Sequence, residues 1–313
     1  MRRLLIYLSN IMELKTKRLL IAGITSFIVL LSAGLGFTGA LKQKSRNQDY
    51  ASWMKDLDDL TPLRSINMPG SHDTMALYSI ADLAGQCQSL SLKDQLNLGV
   101  RFLDIRLKED HNELKAVHGF IDQRASFKSI TETIEKFIKD NPSEMIIMSV
   151  KEEADPSNSD ISFDESLKSY LKNNIYYLNQ NLPLTLGAAR GKVILLSRYE
   201  NASIGVPAYQ GWEDSCSFTL PNGIYVQDTY KITSKEQKQE EIVKCFNEVG
   251  HTLKINFLSA YRTNGFPPSY APSAANDINP WINEEIVKYH DRGVVLYDFI
   301  NESNMKAFFK ESL

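Results

Sequence analysis

Short apolar segments alternate with helix-like segments along residues 51–313, and this alternation limits the fold more than any other feature of the chain. Eight segments have the length and composition of buried strands. They lie at residues 65–68, 100–107, 114–117, 145–150, 193–197, 224–227, 254–258 and 294–299. Helices are indicated at residues 126–140 and 234–249, where apolar side chains recur at spacings of three and four. Eight strands interleaved with helices predict an α/β fold, a parallel β/α barrel.

Polar side chains stand at, or just beyond, the last apolar residues of most of these strands. They are His72, Asp104, Arg106, His118, Lys151, Arg198, Asp228 and Asp298. In a β/α barrel the carboxyl ends of the strands open onto one face, where catalytic groups meet. Asp104 and Arg106 have the same parity, so both side chains face one side of the sheet. A single charged residue at such a position would be typical of a solvated strand end. So many charged residues at equivalent strand ends predict a functional site.

The stretch RSINMPGSHDTM, at residues 64–75, places a Ser-His-Asp-Thr cluster after the first strand. Its Pro-Gly pair predicts a turn between the strand and the cluster. With Arg106 and His118, this cluster offers two imidazoles, carboxylates and a guanidinium. These are the groups needed for acid–base chemistry on a phosphate ester.

The charge of the chain is unevenly distributed. Residues 1–40 carry five of the 35 basic side chains and one of the 38 acidic ones, which leaves a net charge of −7 for the remainder. An acidic body argues against nucleic acid as a partner, because binding a phosphate backbone needs a basic surface. The three cysteines, Cys87, Cys216 and Cys245, have no zinc-ligand spacing and allow at most one disulfide, so we expect three buried free thiols.

Residues 19–41 form an uncharged apolar run that follows Lys15, Lys17 and Arg18. The run is long enough to span a bilayer, and its basic flank predicts that the chain after it lies outside the cytoplasm. We therefore expect a signal peptide or membrane anchor at residues 1–41, a linker at 42–50 and a catalytic domain at 51–313. The protein would be secreted, or anchored to the outer face of the cytoplasmic membrane, and the sequence leaves both alternatives open.

Seven motifs in order resemble bacterial phosphatidylinositol-specific phospholipase C of the X-domain type. They lie at residues 63–73, 100–106, 117–119, 140–151, 189–199, 225–230 and 296–302. The resemblance implies a single distorted barrel of the TIM type. It also implies cleavage of phosphatidylinositol to diacylglycerol and inositol 1,2-cyclic phosphate, followed by slow hydrolysis to inositol 1-phosphate.

The resemblance also implies roles for individual residues. His72 would be the general base, oriented by Asp298, and His118 would be the general acid, assisted by Asp73. Arg106 would bind the phosphate. Because the inositol 2-hydroxyl attacks its own phosphate, the chemistry needs no serine or cysteine nucleophile from the protein.

Further residues match positions that contact the inositol in the family: Lys151, Arg198 and Asp228, with Tyr230 stacking on the ring. Asp104 would hold Arg106 rather than act on the substrate. Calcium-dependent relatives place acidic ligands in this part of the site, whereas Arg106 supplies a fixed positive charge. We therefore predict no metal cofactor and no calcium requirement.

The expected partner is phosphatidylinositol in membranes, and the protein is expected to act as a monomer. The sequence leaves open whether glycosyl-phosphatidylinositol anchors are also cleaved. Two other functions fit parts of the pattern. One is a catalytically inactive lipid- or inositol-binding barrel, and the other is a metal-dependent hydrolase similar to glycerophosphodiesterases.

Overall fold

A computed structural model describes residues 49–80, 85–262 and 270–310. Contacts divide the chain into residues 1–48 and 49–313, and all described residues belong to the second unit. The signal or anchor predicted at residues 1–41, and most of the predicted linker, lie outside the described residues. In the described part of the chain, no helix is long and apolar enough to cross a membrane.

Fourteen strands are present in the described residues. In chain order they are β1 Met68–Ser71, β2 Phe102–Asp110, β3 Glu113–His118, β4 Ile121–Ser126, β5 Ile146–Ser157, β6 Tyr176–Tyr177, β7 Val193–Arg198, β8 Val206–Pro207, β9 Ser217–Thr219, β10 Ile224–Gln227, β11 Lys231–Ile232, β12 Leu253–Phe257, β13 Tyr261–Arg262 and β14 Val294–Tyr297. The helices are α1 Leu92–Asn97, α2 Phe127–Asp140, α3 Phe163–Tyr170, α4 Leu186–Ala189, α5 Lys235–Asn247, α6 Ala271–Glu285 and α7 Glu302–Phe309. Short 3-10 turns occupy Tyr50–Asp56, Leu63–Ser65 and Ile286–Lys288.

Eight strands run parallel in the order β6-β7-β5-β2-β1-β14-β12-β10, and β9 adds an antiparallel edge. Within the described residues no hydrogen-bonded pairing joins β6 to β9, so the sheet curls into a distorted, open β/α barrel. The predicted fold class is confirmed.

The prediction was wrong about which segments are the parallel strands. Residues 114–117 belong to β3, which pairs antiparallel with β2 and β4 in a hairpin beside the barrel. The eighth parallel strand is the two-residue β6, which is too short to give a period-two signal.

The predicted helix at residues 126–140 is confirmed as α2. Its apolar face is buried through Ile130, Ile134 and Phe137, and the Ser126 hydroxyl caps the helix by accepting a hydrogen bond from the Ser129 amide. The second predicted helix is α5, which ends at Asn247. The predicted helix extended to Val249, but this residue lies beyond the helix and is 77% exposed.

The first strand lies further along the chain than predicted. Residues 63–65 form a 3-10 turn, and Pro69 and Gly70 stand inside β1 rather than in a turn after it. The close approach of the neighbouring strands explains the glycine. A Cβ atom at Gly70 would lie 3.0 Å from Leu296 Cγ and from Phe102 Cβ. The strand still delivers His72 and Asp73 immediately after its last residue.

All three cysteines are free thiols, as predicted, and Cys87 and Cys245 are buried. Cys216 is partly exposed, so the expectation that all three are buried was wrong for this residue.

Candidate active site

A cavity of about 540 Å³ opens at the carboxyl ends of the parallel strands. Eight of the ten predicted site residues line it: His72, Arg106, His118, Lys151, Arg198, Asp228, Tyr230 and Asp298. The other two, Asp73 and Asp104, are fully buried and contact the lining residues from below. The tertiary structure thus brings together every residue that the sequence placed in the site.

His72, which is partly exposed, and the buried Asp298 form one pair. They follow β1 and β14, whose last residues, Ser71 and Tyr297, are in register. His72 Nδ1 lies 2.7 Å from Asp298 Oδ1, and Arg106 Nη2 lies 2.8 Å from His72 Nε2. Since the guanidinium can only donate, Nε2 accepts and Nδ1 carries the proton toward Asp298.

Opposing effects act on the pKa of His72. Burial and the positive charge of Arg106 lower it, while the carboxylate of Asp298 raises it through its charge and its hydrogen bond. The carboxylate prevails, so the pKa of His72 lies above the ordinary value of 6.5. This histidine takes up a proton more readily than a free imidazole.

His118 and Asp73 form a second pair, with His118 Nδ1 2.6 Å from Asp73 Oδ2. Asp73 adopts a left-handed backbone conformation, with φ of 38°, and is 1% exposed. Its amide donates to Asp104 Oδ2, at 3.1 Å. His118 ends β3 and is about one third exposed, so its ring is accessible from the cavity.

Arg106 lies between the two pairs and faces three carboxylates. Its guanidinium is 3.1 Å from Asp104 Oδ2, 3.6 Å from Glu153 Oε1 and 3.7 Å from Asp73 Oδ2. Burial works against its charge, but these carboxylates raise the pKa of Arg106 well above its ordinary value. Burial works against ionisation of Asp104 too, but Arg106 and Arg198 hold its pKa well below the ordinary value. The guanidinium is therefore a permanent cation aimed at the cavity.

A second arginine is held by an indole ring. Arg198 Nη1 lies 3.1 Å from Asp104 Oδ1, and its guanidinium carbon lies 3.5 Å from the centroid of the Trp212 ring. Trp212 Nε1 donates to Asp228 Oδ2, at 3.1 Å. Charged and polar groups thus line this side of the cavity in a fixed arrangement.

Tyr230 and Lys151 each have an acidic partner at the cavity. The Tyr230 hydroxyl donates to Asp214, and burial together with that carboxylate raises the pKa of Tyr230 to about 12. Lys151 Nζ lies 2.6 Å from Glu153 Oε2. The tyrosine therefore stays neutral over the physiological pH range.

Comparison with known proteins places these features in a family. The family model "Phosphatidylinositol-specific phospholipase C, X domain" matches residues 62–199. A 1-phosphatidylinositol phosphodiesterase of Listeria monocytogenes is 32% identical over 279 residues, which cover 83% of this chain and 84% of the relative. The chain belongs to the bacterial phosphatidylinositol-specific phospholipase C family.

Other members agree with this assignment. A 1-phosphatidylinositol phosphodiesterase of Staphylococcus aureus is 28% identical, covering 83% of this chain and 86% of the relative. The solved structure of the phosphatidylinositol-specific phospholipase C from Listeria monocytogenes is 27% identical, with a TM-score of 0.69, and covers 84% of this chain and 98% of that one. A double mutant of the Staphylococcus aureus enzyme shares the fold, with a TM-score of 0.73 at 24% identity, and covers 83% of this chain and 97% of that one. The protein is therefore an enzyme of the phospholipase C type.

Several residues of this phospholipase C site were missed by the sequence analysis. Glu153, which contacts both Arg106 and Lys151, has the same strand parity as Lys151, and that signal was present in the sequence. Gln88 ties the ends of β1 and β14 together, because its Nε2 donates to the carbonyls of His72 and Tyr297.

Trp212 and Asp214 were also missed. They lie in the connection between β8 and β9, which has no periodic pattern. Only the folded chain brings this connection over the cavity.

Two kinds of group in this phospholipase C site could interact with a metal ion. The carboxylates of Asp73, Asp104 and Glu153 would suit a hard cation, but all three face the Arg106 guanidinium. The second kind is a mixed set of donors. The sulfur of Cys87, which lines the same cavity, lies near imidazole nitrogens and carboxylate oxygens of the two histidine–aspartate pairs.

Proposed function

We propose that this enzyme cleaves phosphatidylinositol to diacylglycerol and inositol 1,2-cyclic phosphate without a metal ion, and then slowly hydrolyses the cyclic ester to inositol 1-phosphate. One observation carries the proposal. Two histidines, each paired with a buried aspartate, are linked through the guanidinium of Arg106 at the carboxyl end of the barrel.

In the first step His72 acts as the base. Asp298 fixes the proton on Nδ1, which leaves the lone pair of Nε2 available, and Arg106 donates to that nitrogen when no substrate is bound. A phosphate oxygen attracts the guanidinium more strongly than a neutral imidazole does, so substrate binding frees Nε2 for the inositol 2-hydroxyl. The hydroxyl oxygen then attacks its own phosphorus, an intramolecular reaction with a high effective concentration.

His118 completes the step as the acid. As the bond between phosphorus and the glycerol oxygen breaks, His118 protonates that oxygen, and Asp73 stabilises the positive charge that the ring carries beforehand. Arg106 offsets the negative charge that grows on the phosphate oxygens. In the second step the roles reverse, so that His118 deprotonates water and His72 returns its proton to the 2-oxygen.

The remaining residues fit recognition of inositol. Lys151, Arg198 and Asp228 present charged groups that can bind ring hydroxyls, and Tyr230 presents a neutral aromatic face. Trp212 fixes two of them, since it stacks on Arg198 and donates to Asp228.

The independence from calcium rests on Arg106. A calcium ion needs six to eight oxygen ligands. The three carboxylates best placed to provide them are all directed at a guanidinium whose pKa is raised and which therefore keeps its charge. The same arrangement argues against the alternative of a metal-dependent glycerophosphodiesterase-like hydrolase.

Phosphorus NMR with phosphatidylinositol micelles and EDTA tests the proposed function. A cyclic phosphate signal that builds up and slowly gives way to inositol 1-phosphate is expected. Turnover that appears only after calcium or magnesium is added would overturn the metal-free mechanism. No turnover under either condition would favour an inactive lipid- or inositol-binding barrel.

The pH profile of kcat/KM provides a second test. His72 must be unprotonated to act as the base, and its pKa is raised, so activity should fall as the pH drops through a value above 6.5. In Asp298→Asn the carboxylate that raises this pKa most is gone, while burial and Arg106 still lower it and only the more weakly acting Asp104 still raises it. The acid limb should move to lower pH, with a loss of roughly 10²-fold or more on the plateau.

The matched control for Asp298→Asn is Asp110→Asn, which removes the carboxylate partner of the exposed His111. It should leave the profile unchanged. An acid limb that stays in place in Asp298→Asn would mean that His72 is not the group that titrates.

We also propose that the hairpin of β3 and β4 faces the lipid surface. Phe120, two residues after His118, is 89% exposed, and diacylglycerol would leave on the His118 side. Phe120→Ala should weaken vesicle binding by about 10-fold, the order expected for an aromatic side chain that is buried on binding. It should leave kcat on a soluble short-chain substrate unchanged.

The control is Leu184→Ala, since Leu184 is 86% exposed in the loop before α4. Equal vesicle binding by both variants would contradict this orientation.

The position of the enzyme relative to the membrane is a separate proposal. Secretion, or anchoring to the outer face of the cytoplasmic membrane through residues 19–41, would bring the cavity to its lipid substrate.

A further inference from the structure

Cys87 lies beside both histidine–aspartate pairs of the cavity. Its Sγ is 3.8 Å from His118 Nδ1. One donor atom each from Cys87, His118 and Asp73 lies within 4.8 Å of the others, and the same holds for Cys87, His72 and Asp298. Cys87 is the member shared by the two groups.

The donor set indicates which ion would fit. Sulfur, imidazole nitrogen and a carboxylate oxygen are the ligands of zinc, whereas calcium and magnesium prefer oxygen. Asp73 is 1% exposed, and neither of its carboxylate oxygens accepts a hydrogen bond among the described residues, since the Arg106 guanidinium is 3.7 Å from Oδ2. A buried carboxylate oxygen without a donor is costly, and a cation would satisfy it.

The geometry needs little adjustment. With zinc–sulfur and zinc–nitrogen bonds of about 2.3 and 2.0–2.1 Å, tetrahedral ligands lie roughly 3.3–3.6 Å apart. The sulfur–nitrogen distance of 3.8 Å is already close to this range. His118 Nδ1 and Asp73 Oδ2, now 2.6 Å apart, would separate as the ion binds between them.

We propose that Cys87, His118 and Asp73 form an inhibitory site for a thiophilic divalent cation such as Zn²⁺. On binding, the Cys87 thiol and His118 Nδ1 each release a proton to solvent if they hold one, and water completes the coordination of the ion. The ring of His118 then cannot become an imidazolium. The inhibition rests on the proposed role of His118 as general acid, whereas the binding of the ion does not.

The free thiol is a poor nucleophile, and it must lose its proton to bind a metal ion. Burial, with the charges of Asp298 and Asp73, raises the pKa of Cys87 well above its ordinary value. The free side chain is therefore a neutral thiol, and coordination to a cation would deprotonate it.

The test uses the Cys216→Ser protein as background, because Cys216 is partly exposed and contacts Glu213. Cys87→Ser and Cys87→Ala are added to it. Both keep the backbone hydrogen bonds that position 87 makes with Ala76 and Phe299. Titration with Cd²⁺, a spectroscopic substitute for zinc, is followed by the ultraviolet charge-transfer band of a cadmium–thiolate bond. Inhibition by Zn²⁺ is measured on a soluble substrate without chelator.

The background protein should show the band and be inhibited by Zn²⁺. Both Cys87 variants should keep their activity, lose the band and need at least about 10-fold more zinc for inhibition, since even loss of an outer-shell partner costs that much affinity. Equal zinc sensitivity in all three proteins, or no band in the background protein, would overturn the site. If no protein turns over phosphatidylinositol, the proposed function fails, but the cadmium band still decides whether the site exists.

Discussion

Replacing His72 with alanine is expected to lower kcat by about 10³-fold to 10⁴-fold, with little change in KM. The imidazole removes a proton that must leave the 2-hydroxyl during the attack, and no other base is in its place. Arg106, which contacts Nε2, has a raised pKa and cannot accept a proton. Steady-state kinetics on phosphatidylinositol in mixed micelles would measure the loss.

The two histidines can be told apart by the leaving group. An aryl ester of inositol phosphate releases a weakly basic phenolate, which needs no protonation as it departs. His118→Ala should therefore lose about 10²-fold or more on phosphatidylinositol but much less on the aryl ester. His72→Ala should be equally impaired on both substrates.

His111→Ala is the matched control, because His111 is 69% exposed at the β2–β3 turn and pairs only with Asp110 among the described residues. It should behave as the wild type. Equal losses for His72→Ala and His118→Ala on the aryl ester would contradict the assignment of base and acid.

Replacing Arg106 is expected to have an effect of similar size. Arg106→Ala should lower kcat/KM by roughly 10³-fold or more, because the phosphate loses its bidentate partner and the transition-state charge is no longer offset. The same change leaves Asp73, Asp104 and Glu153 without the cation they share, so a loss of thermal stability should accompany it.

Arg106→Lys separates the two effects. Lysine restores one positive charge, which should recover part of the stability, but it cannot bind two phosphate oxygens in the planar geometry of a guanidinium. We expect a loss of roughly 10²-fold in kcat/KM for this variant, with a melting temperature nearer that of the wild type. Arg64→Ala, at an exposed position of the 3-10 turn Leu63–Ser65, is the control for loss of a surface arginine. Full activity in Arg106→Lys would show that charge alone is sufficient.

The sequence by itself determined which residues reach the active face. Apolar parallel strands lead to most of them, and strands of a β/α barrel end on one face: His72, Arg106, Lys151, Arg198, Asp228 and Asp298. His118 reaches the same face from the hairpin strand β3, which is not a strand of the barrel. This inference uses only local periodicity, so it tolerated errors of a few residues in the strand bounds. The inference holds although β1 includes Pro69 and Gly70, because the strand lies further along the chain than predicted and still ends directly before His72.

The tertiary structure decided which groups face one another. The pairing of His72 with Asp298 depends on β1 and β14 being neighbours, although 226 residues separate the two side chains. Trp212 stacks on Arg198 because an irregular loop folds over the cavity. Cys87 reaches both histidine–aspartate pairs from a connecting segment whose residues show no periodic pattern. Contacts of this kind depend on distances between segments far apart in the chain, and local periodicity contains no information about those distances.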